Sequence, residues 1–411
     1  MVRDLERAGR QPVPDRTLIF SLALIGFFAI FSTTISKNPV LPLYANALGA
    51  TDSLLGLIAA VSPLAGILFS FPVGVLSDRL GRRRLLVVSG IVFLAAPIFY
   101  LLVTDPLALI PVRFFHGTAT AILGPVISAI IAERFPATKG EMLGSYSSAT
   151  LVGRTLAPLA GGIIISVFLY MPGLFPYRMV YIVAALAAIP VLVLILRYRD
   201  EHAGAQGMPG ISVFRESLRT FLTNASLRAT ALADAATYFA FGAVETFLPV
   251  YLLALGFAAW QIGVIFAVQV LIIAATKPFF GRFADRADKR YQIAAGVLVT
   301  GGAAAALPLV AGFWEVLAVS AAFGLGMAFS TVATSAYVAD VAKRDQIGAS
   351  MGALSSIMDI GQSAGPFVTG IVITYAGYTM GFFTGFVLAL VVVAVFVAAA
   401  RGGGTPPTPT P

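Results

Sequence analysis

Apolar residues run in long blocks along the whole chain of 411 residues, each closed off by a short polar or charged stretch. A helix needs about 20 mainly apolar residues to cross the hydrocarbon of a bilayer. On that measure the pattern predicts twelve spans, numbered here in chain order. Six fall near residues 17–43, 53–76, 84–103, 107–132, 143–168 and 177–197, and six near 227–252, 258–281, 291–311, 314–339, 348–371 and 378–400. The reading is an all-α integral membrane protein. Its units are 1–197, a six-helix bundle with a tail; 198–226, a polar linker; 227–400, a second six-helix bundle; and 401–411, a closing tail. Within the linker Ile211, Phe214, Leu218 and Phe221 recur at helical spacing around Arg215 and Arg219, which predicts a short helix lying on the membrane surface. The final GGGTPPTPTP is expected to be disordered.

Composition agrees with the pattern. Hydrophobic residues make up 58% and charged residues 11%, with a mean hydropathy of +0.91, whereas soluble domains carry about 25% charged residues. With no cysteine and two histidines, disulfide scaffolds, thiolate catalysis and clustered metal sites are not expected. No GxxxxGK[ST] phosphate loop occurs, so this chain is not expected to burn ATP. The expectation is a transporter, not an enzyme, with no cofactor and no metal.

Charge gives the orientation. With both termini inside, 22 of the 27 Lys and Arg residues fall on the cytoplasmic side, and only Lys37 and Arg178 on the outer side. That is the positive-inside asymmetry, and it accounts for the net charge of +8 without nucleic acid. A multi-pass protein of the plasma or inner membrane with cytoplasmic termini is expected.

The halves repeat. LPLYANALGATDSLLGL (41–57) and LPVYLLALGFAAWQIGV (248–264) agree at seven positions, and the offset of 207 also carries Gly74, Asp78 and Arg79 onto Gly281, Asp285 and Arg286. An offset of 208 carries Gly144, Gly153 and Pro158 onto Gly352, Gly361 and Pro366. Two bundles in parallel orientation are a duplication of the kind from which secondary transporters are built.

Between spans 2 and 3 stands GVLSDRLGRRR, Gly74 to Arg84. Gly74 permits close helix approach and Gly81 a tight turn. Asp78 can accept hydrogen bonds from backbone N–H groups at a helix start, where the dipole favours an anion. Arg82, Arg83 and Arg84 can hold lipid phosphates together with Asp78, or simply enforce topology. Span 4 carries PVRFFHGTAT, and span 5 carries Gly144, Gly153, Pro158, Gly161 and Gly162, small residues that return to one face and let backbones approach. Span 11 repeats this with Gly352, Gly361, Gly365 and Pro366.

These motifs together resemble the major facilitator superfamily, and the span-5 motif resembles that of its drug:proton antiporter branch. Ala157 stands where the branch has glycine, and Thr369 replaces a glycine in the second copy. The resemblance implies a central cavity lined by spans 1, 4, 7 and 10. It also implies that Asp78 latches onto the start of span 11, near Gly348, in an outward-facing state. In the second loop Asp288 replaces the glycine, which weakens the parallel.

Charges within spans cost about 2.5–3.5 kcal/mol each at a helix centre, so they mark function or a built partner. The candidates are Arg113 on span 4, Arg154 on span 5, Asp234 and Glu245 on span 7, Lys277 on span 8 and Asp359 on span 11, with His116 one turn from Arg113. Asp234 and Glu245 are eleven residues apart and share a face about 16 Å long, which the resemblance turns toward Arg113. Each has a plainer reading. Glu245 can be solvated at the outer end, Asp234 at the cytoplasmic mouth, and Lys277 can snorkel from near its span's end. Arg154 and Asp359 can be structural, and His116 can be a packing residue. Phe20, Phe27, Phe28, Phe31, Tyr238, Phe239 and Phe241 offer aromatic walls suited to amphipathic compounds.

The function expected is proton-coupled export of small amphipathic or drug-like molecules by alternating access. The alternative is an uptake symporter or uniporter for a sugar, organic acid or similar metabolite, and a third class is a non-transporting receptor on the same scaffold. Partners are a small-molecule substrate, protons and membrane lipids, with the chain a monomer.

Overall fold

The computed structural model describes residues 16–198, 219, 223–342 and 347–402, and the side chains of these except at 70–80, 226, 347–349 and 399–402. Among the described residues there are helices and turns but no strand, as expected where every backbone group must be satisfied inside lipid. The predicted surface helix of the linker and most of the closing tail lie outside the described residues.

Span 1 is a helix in two pieces, Arg16–Lys37 and Val40–Ala47, interrupted at Asn38–Pro39, where proline has no N–H to donate. Spans 2 to 6 are Asp52–Leu80, Arg82–Leu102, Leu109–Arg134, Lys139–Val167 and Phe175–Arg197. Spans 7 to 10 are Ala225–Ala254, Ala259–Arg286, Lys289–Ala306 and Phe313–Val341. The last helical stretch, Ile347–Gly402, has 56 residues. At 1.5 Å per residue this is nearly three times the hydrocarbon thickness of about 30 Å. Gly377, at φ 80° and ψ 171°, breaks it into spans 11 (347–376) and 12 (378–402). The chain is therefore a twelve-span bundle protein.

The duplication is visible in the backbone. Gly49 and Gly256, one offset apart, both take positive φ (85° and 89°) and close the same turn, with Ala50 N–H donating to Ala45 O and Phe257 N–H to Leu252 O. A side chain at either position would be strained. Within the first half, span 1 packs on spans 5 and 6 and span 2 on span 4; within the second, span 7 packs on spans 10 and 11. Between halves, span 2 meets span 11 and span 5 meets span 8.

The two ends of this bundle differ. One end carries the basic loops after spans 2, 4, 8 and 10 and is called the basic end; the other, with Gly49, Gly256 and Gly377, is the far end. At the far end one buried core is shared by both halves and includes Ile35, Tyr44, Val244, Phe247, Ile262 and Phe323. Toward the basic end the core separates. Leu22, Phe93, Ile127 and Val191 belong to a first-half cluster, while Ala233, Val297, Ala333 and Val392 belong to a second-half one.

Candidate functional site

Four glycines build the junction at the far end. A methyl group on Gly263 of span 8 would stand 2.5 Å from Pro158 O of span 5, and one on Gly162 would meet Ala259 O. In the mirrored contact, a methyl on Gly370 of span 11 would stand 2.6 Å from Asp52 O of span 2, and one on Gly56 would meet Pro366 O. Only glycine lets these backbones approach so closely. Hydrogen bonds reinforce the same level. Ser53 Oγ and Thr374 Oγ1 are 2.7 Å apart, Tyr378 Oη donates to Asp52 Oδ1 at 2.8 Å, and Trp260 N–H donates to Ser166 Oγ at 3.0 Å.

The other small residues of the two motifs act inside each half. Gly153 and Gly161 let span 5 lie on span 1, against Phe27 O and Val40, and Gly361 and Gly365 let span 11 lie on span 7, against Ala235 O and Phe239 O. Gly144 and Gly352, nearest the basic end, have nothing within 4 Å among the described residues.

Just inside the far-end closure, Lys37 Nζ pairs with Glu245 Oε2 at 2.6 Å, and Gln362 Nε2 donates to the same oxygen at 3.3 Å. Spans 1, 7 and 11 thus meet at one carboxylate. This changes two expectations. Lys37 does not lie on the outer side, because span 1 resumes after Asn38–Pro39 and runs on to Ala47. Glu245 is not solvated at an outer rim; its side chain is 12% exposed and paired.

Lys37 is within electrostatic reach of Arg113 and Arg154 as well as Glu245, and Asp359 is within reach of Lys37. Arg113 is 2% exposed and enters none of the ion pairs of the described residues. Span 7's acids therefore do not meet it directly, as the shared-face reading expected. It lies instead among Tyr100, Tyr181 and His116, with the two tyrosine rings stacked at 4.5 Å. His116 is 1% exposed and its Nε2 is 2.9 Å from Thr33 Oγ1 on span 1. Asp359 rests against Gly66 of span 2, where a methyl group would be 3.0 Å from Oδ2.

Asp234 is buried at 3% and not at a mouth, and accepts a hydrogen bond from Thr334 Oγ1 of span 10 at 2.7 Å. Although it shares a nominal face with Glu245, the crossing of the spans gives the two acids different neighbours. Lys277 is not near the end of its span, because span 8 continues to Arg286, and its charged neighbours are Asp234 and Arg154. Arg154 is exposed and makes no ion pair among the described residues, so a fixed structural pair is not its state here. Of the aromatic candidates, Phe27, Phe31, Tyr238 and Phe241 are half-buried, whereas Phe239 packs under span 11 and Phe28 joins the first-half core.

The basic loops were legible only in part. The side chains of Gly74, Asp78 and Arg79 and the start of span 11 lie outside those described. Gly81, at φ 83°, makes the turn into span 3. Arg82 forks onto both oxygens of Glu133 at the end of span 4, and Arg83 donates to Leu196 O at the end of span 6. Arg84 is exposed. In the second loop Gly281 lies in span 8, and Asp285 and Arg286 are exposed without a bond among the described residues. Asp288 caps span 9 through Arg290 N–H, and Lys289 pairs with Asp340 at 2.8 Å. Arg82–Glu133 and Lys289–Asp340 are the same pair displaced by 207 residues, a symmetry that single residues in a basic loop do not advertise.

The family model described as Major Facilitator Superfamily matches residues 22–311 and 235–411. The multidrug resistance protein MdtM of Salmonella typhimurium is 27% identical over 77% of this chain and 78% of its own. The quinolone resistance protein NorA of Staphylococcus aureus is 24% identical over 81% of this chain and 84% of its own. Among solved structures, a bacterial homologue of the human lysosomal transporter Spinster, in an inward-facing and occupied conformation, superposes with a TM-score of 0.80 at 17% identity, covering 95% of this chain and 98% of that one. The chain belongs to the major facilitator superfamily and is a multi-pass membrane transporter.

Proposed function

We propose, starting from that membership, that the chain is a proton-coupled exporter of small amphipathic molecules. It sits in the plasma or inner membrane as a monomer with both termini in the cytoplasm. The charge asymmetry supports this orientation. On it the closed far end faces outward and the conformation is inward-facing, open to cytoplasmic substrate. The relatives named for multidrug and quinolone resistance support the direction.

The observation that carries coupling is the Lys37–Glu245 pair, which joins the halves at the level where they must part. With Glu245 ionised, Lys37 holds spans 1 and 7 together and the outer end stays shut. When the outer end opens, Glu245 loses Lys37 and takes a proton from outside. Return to the inward state re-forms the pair and releases that proton to the cytoplasm. Arg113, Arg154 and Asp359 form the charged surround of that pair, with Asp234 beside Lys277 further toward the basic end. The half-buried Phe27, Phe31, Tyr238 and Phe241 receive the apolar body of the substrate. In the outward state the Asp78 loop serves as the opposing latch.

The test uses sealed inverted vesicles holding the purified protein under an imposed pH gradient reported by a dye. Dissipation of the gradient by amphipathic compounds, lost in Glu245→Gln, is expected. Substrate equilibration with no proton movement would replace the exporter with a uniporter.

A further inference from the structure

The charges around the site are unevenly matched. The first half brings both Arg113 and Arg154 within electrostatic reach of Lys37. Opposite them stand Glu245 and Asp359, while Lys277 and Asp234 lie beyond Arg154 and reach each other. Glu245 is already held by Lys37 and Gln362. Arg113 and Arg154 are left without an acid in ion-pair contact among the described residues.

Arg113 is the sharper case. Its Nε is enclosed with no hydrogen-bond partner, and so are the Oη atoms of Tyr100 and Tyr181 beside it and the Nδ1 of His116. Buried polar atoms are ordinarily paired, and a buried guanidinium without a counter-ion is costly. Four such atoms on spans 3, 4 and 6 form a buried polar cluster that lacks an anionic partner among the described residues. A guanidinium fork fits two oxygens of one planar head group, and tyrosine hydroxyls add donors.

We infer that the transported amphipath is an anion: a carboxylate, or a comparably compact oxyanion, on an aromatic body. Its head binds Arg113 with the hydroxyls of Tyr100 and Tyr181, Arg154 offers a second cation on the approach, and its body lies against Phe27, Phe31 and Tyr238. This rests on the transporter reading above and narrows it. It also supplies a link to the proton. A substrate anion arriving beside Lys37 competes with Glu245 for the same ammonium, so loading weakens the bond that keeps the outer end shut.

The test uses the full-length protein in proteoliposomes and three probes sharing one ring system: a naphthalene carboxylate, the matching carboxamide and the matching methylammonium. The carboxylate is expected to bind saturably and to exchange at least about tenfold faster than the amide, with the methylammonium slowest. Arg113→Gln should weaken carboxylate binding at least about tenfold, and Arg113→Lys should restore part of it. Should Arg113→Gln not fold, Arg154→Gln at its exposed position gives the same test with a smaller loss. Preference for the methylammonium, no saturable carboxylate binding, or carboxylate binding unchanged in the arginine variants would each overturn the inference. Arginine-dependent carboxylate exchange that leaves a pH gradient intact would uphold the anion site and sink the proton-driven reading.

Discussion

Gly162 and Gly144 belong to one motif on one helix, yet they stand in opposite situations. Gly162 lies at the far end against the backbone of span 8, and Gly144 lies near the basic end with nothing within 4 Å among the described residues. Gly370 and Gly352 repeat the contrast on span 11. The far end is a seam of backbone contacts under a shared apolar core, while the cores of the two halves separate toward the basic end. In a two-state transporter the same kind of residue has to serve both closures, so a motif spread along a span is occupied only in part in any one state. On the alternating-access reading proposed above, Gly144 and Gly352 are expected to be the surfaces that close the basic end in the other state.

Locking the seam breaks the contrast most severely. The described chain has no cysteine, and the hydroxyls of Ser53 and Thr374 are 2.7 Å apart across spans 2 and 11. The double variant Ser53→Cys/Thr374→Cys, oxidised to a disulfide, should abolish transport completely, and reductant should restore it. Full transport by the cross-linked protein would mean that the far end need not open.

Removing the charge at the seam comes next. Glu245→Gln frees Lys37 and removes the carboxylate at which spans 1, 7 and 11 meet. Proton-driven accumulation should fall by more than about tenfold, because the proposed proton-carrying carboxylate and its pairing with Lys37 are lost together. Exchange of substrate down its own gradient should survive. Asp234→Asn, away from the seam and bonded to Thr334 within the second half, should leave more coupling intact. If it instead matches Glu245→Gln, the proton is carried nearer the basic end.

The glycines sharpen the contrast further. Gly162→Val drives two methyl groups at Ala259 O and should disfavour the closed seam by about 1–3 kcal/mol, the usual cost of overpacking. The population would shift toward the outward state, read as increased labelling of a cysteine placed at the far end. Gly144→Val should not change that labelling in the same direction, since no contact is violated here.

The twelve spans and the duplication were readable because lipid imposes length and apolarity on each crossing, and because turn glycines such as Gly49 and Gly256 have no substitute at positive φ. The same reading misplaced Lys37. The span drawn near 17–43 already contains Lys37, but a charge beside Asn38–Pro39 reads as an outer-side residue until the helix is seen to resume at Val40 and run on to Ala47. It also aimed Glu245 at Arg113, because a shared helical face says nothing about which neighbours a tilted span crosses. Glu133 and Asp340 passed unnoticed, being acids at span ends whose partners are fixed only by how spans 3 and 4, and 9 and 10, come together.

Those two pairs give the finest comparison. Arg82 forks onto Glu133 with side chains 11% and 32% exposed, while Lys289 reaches a single oxygen of Asp340, which is 60% exposed. A forked guanidinium pair has two parallel bonds and fixed geometry, whereas an ammonium on an exposed acid is screened and entropically loose. Arg82→Ala should therefore lower stability by about 1 kcal/mol and Lys289→Ala by a few tenths, seen as unequal drops in the thermal midpoint of the detergent-solubilised protein. Raising the salt concentration should shrink the second difference more than the first, because screening acts mainly on exposed charges. Equal drops would mean that the repeat makes the two loops equivalent in energy as well as in position, and that the fork at Arg82 adds nothing to the bare charge.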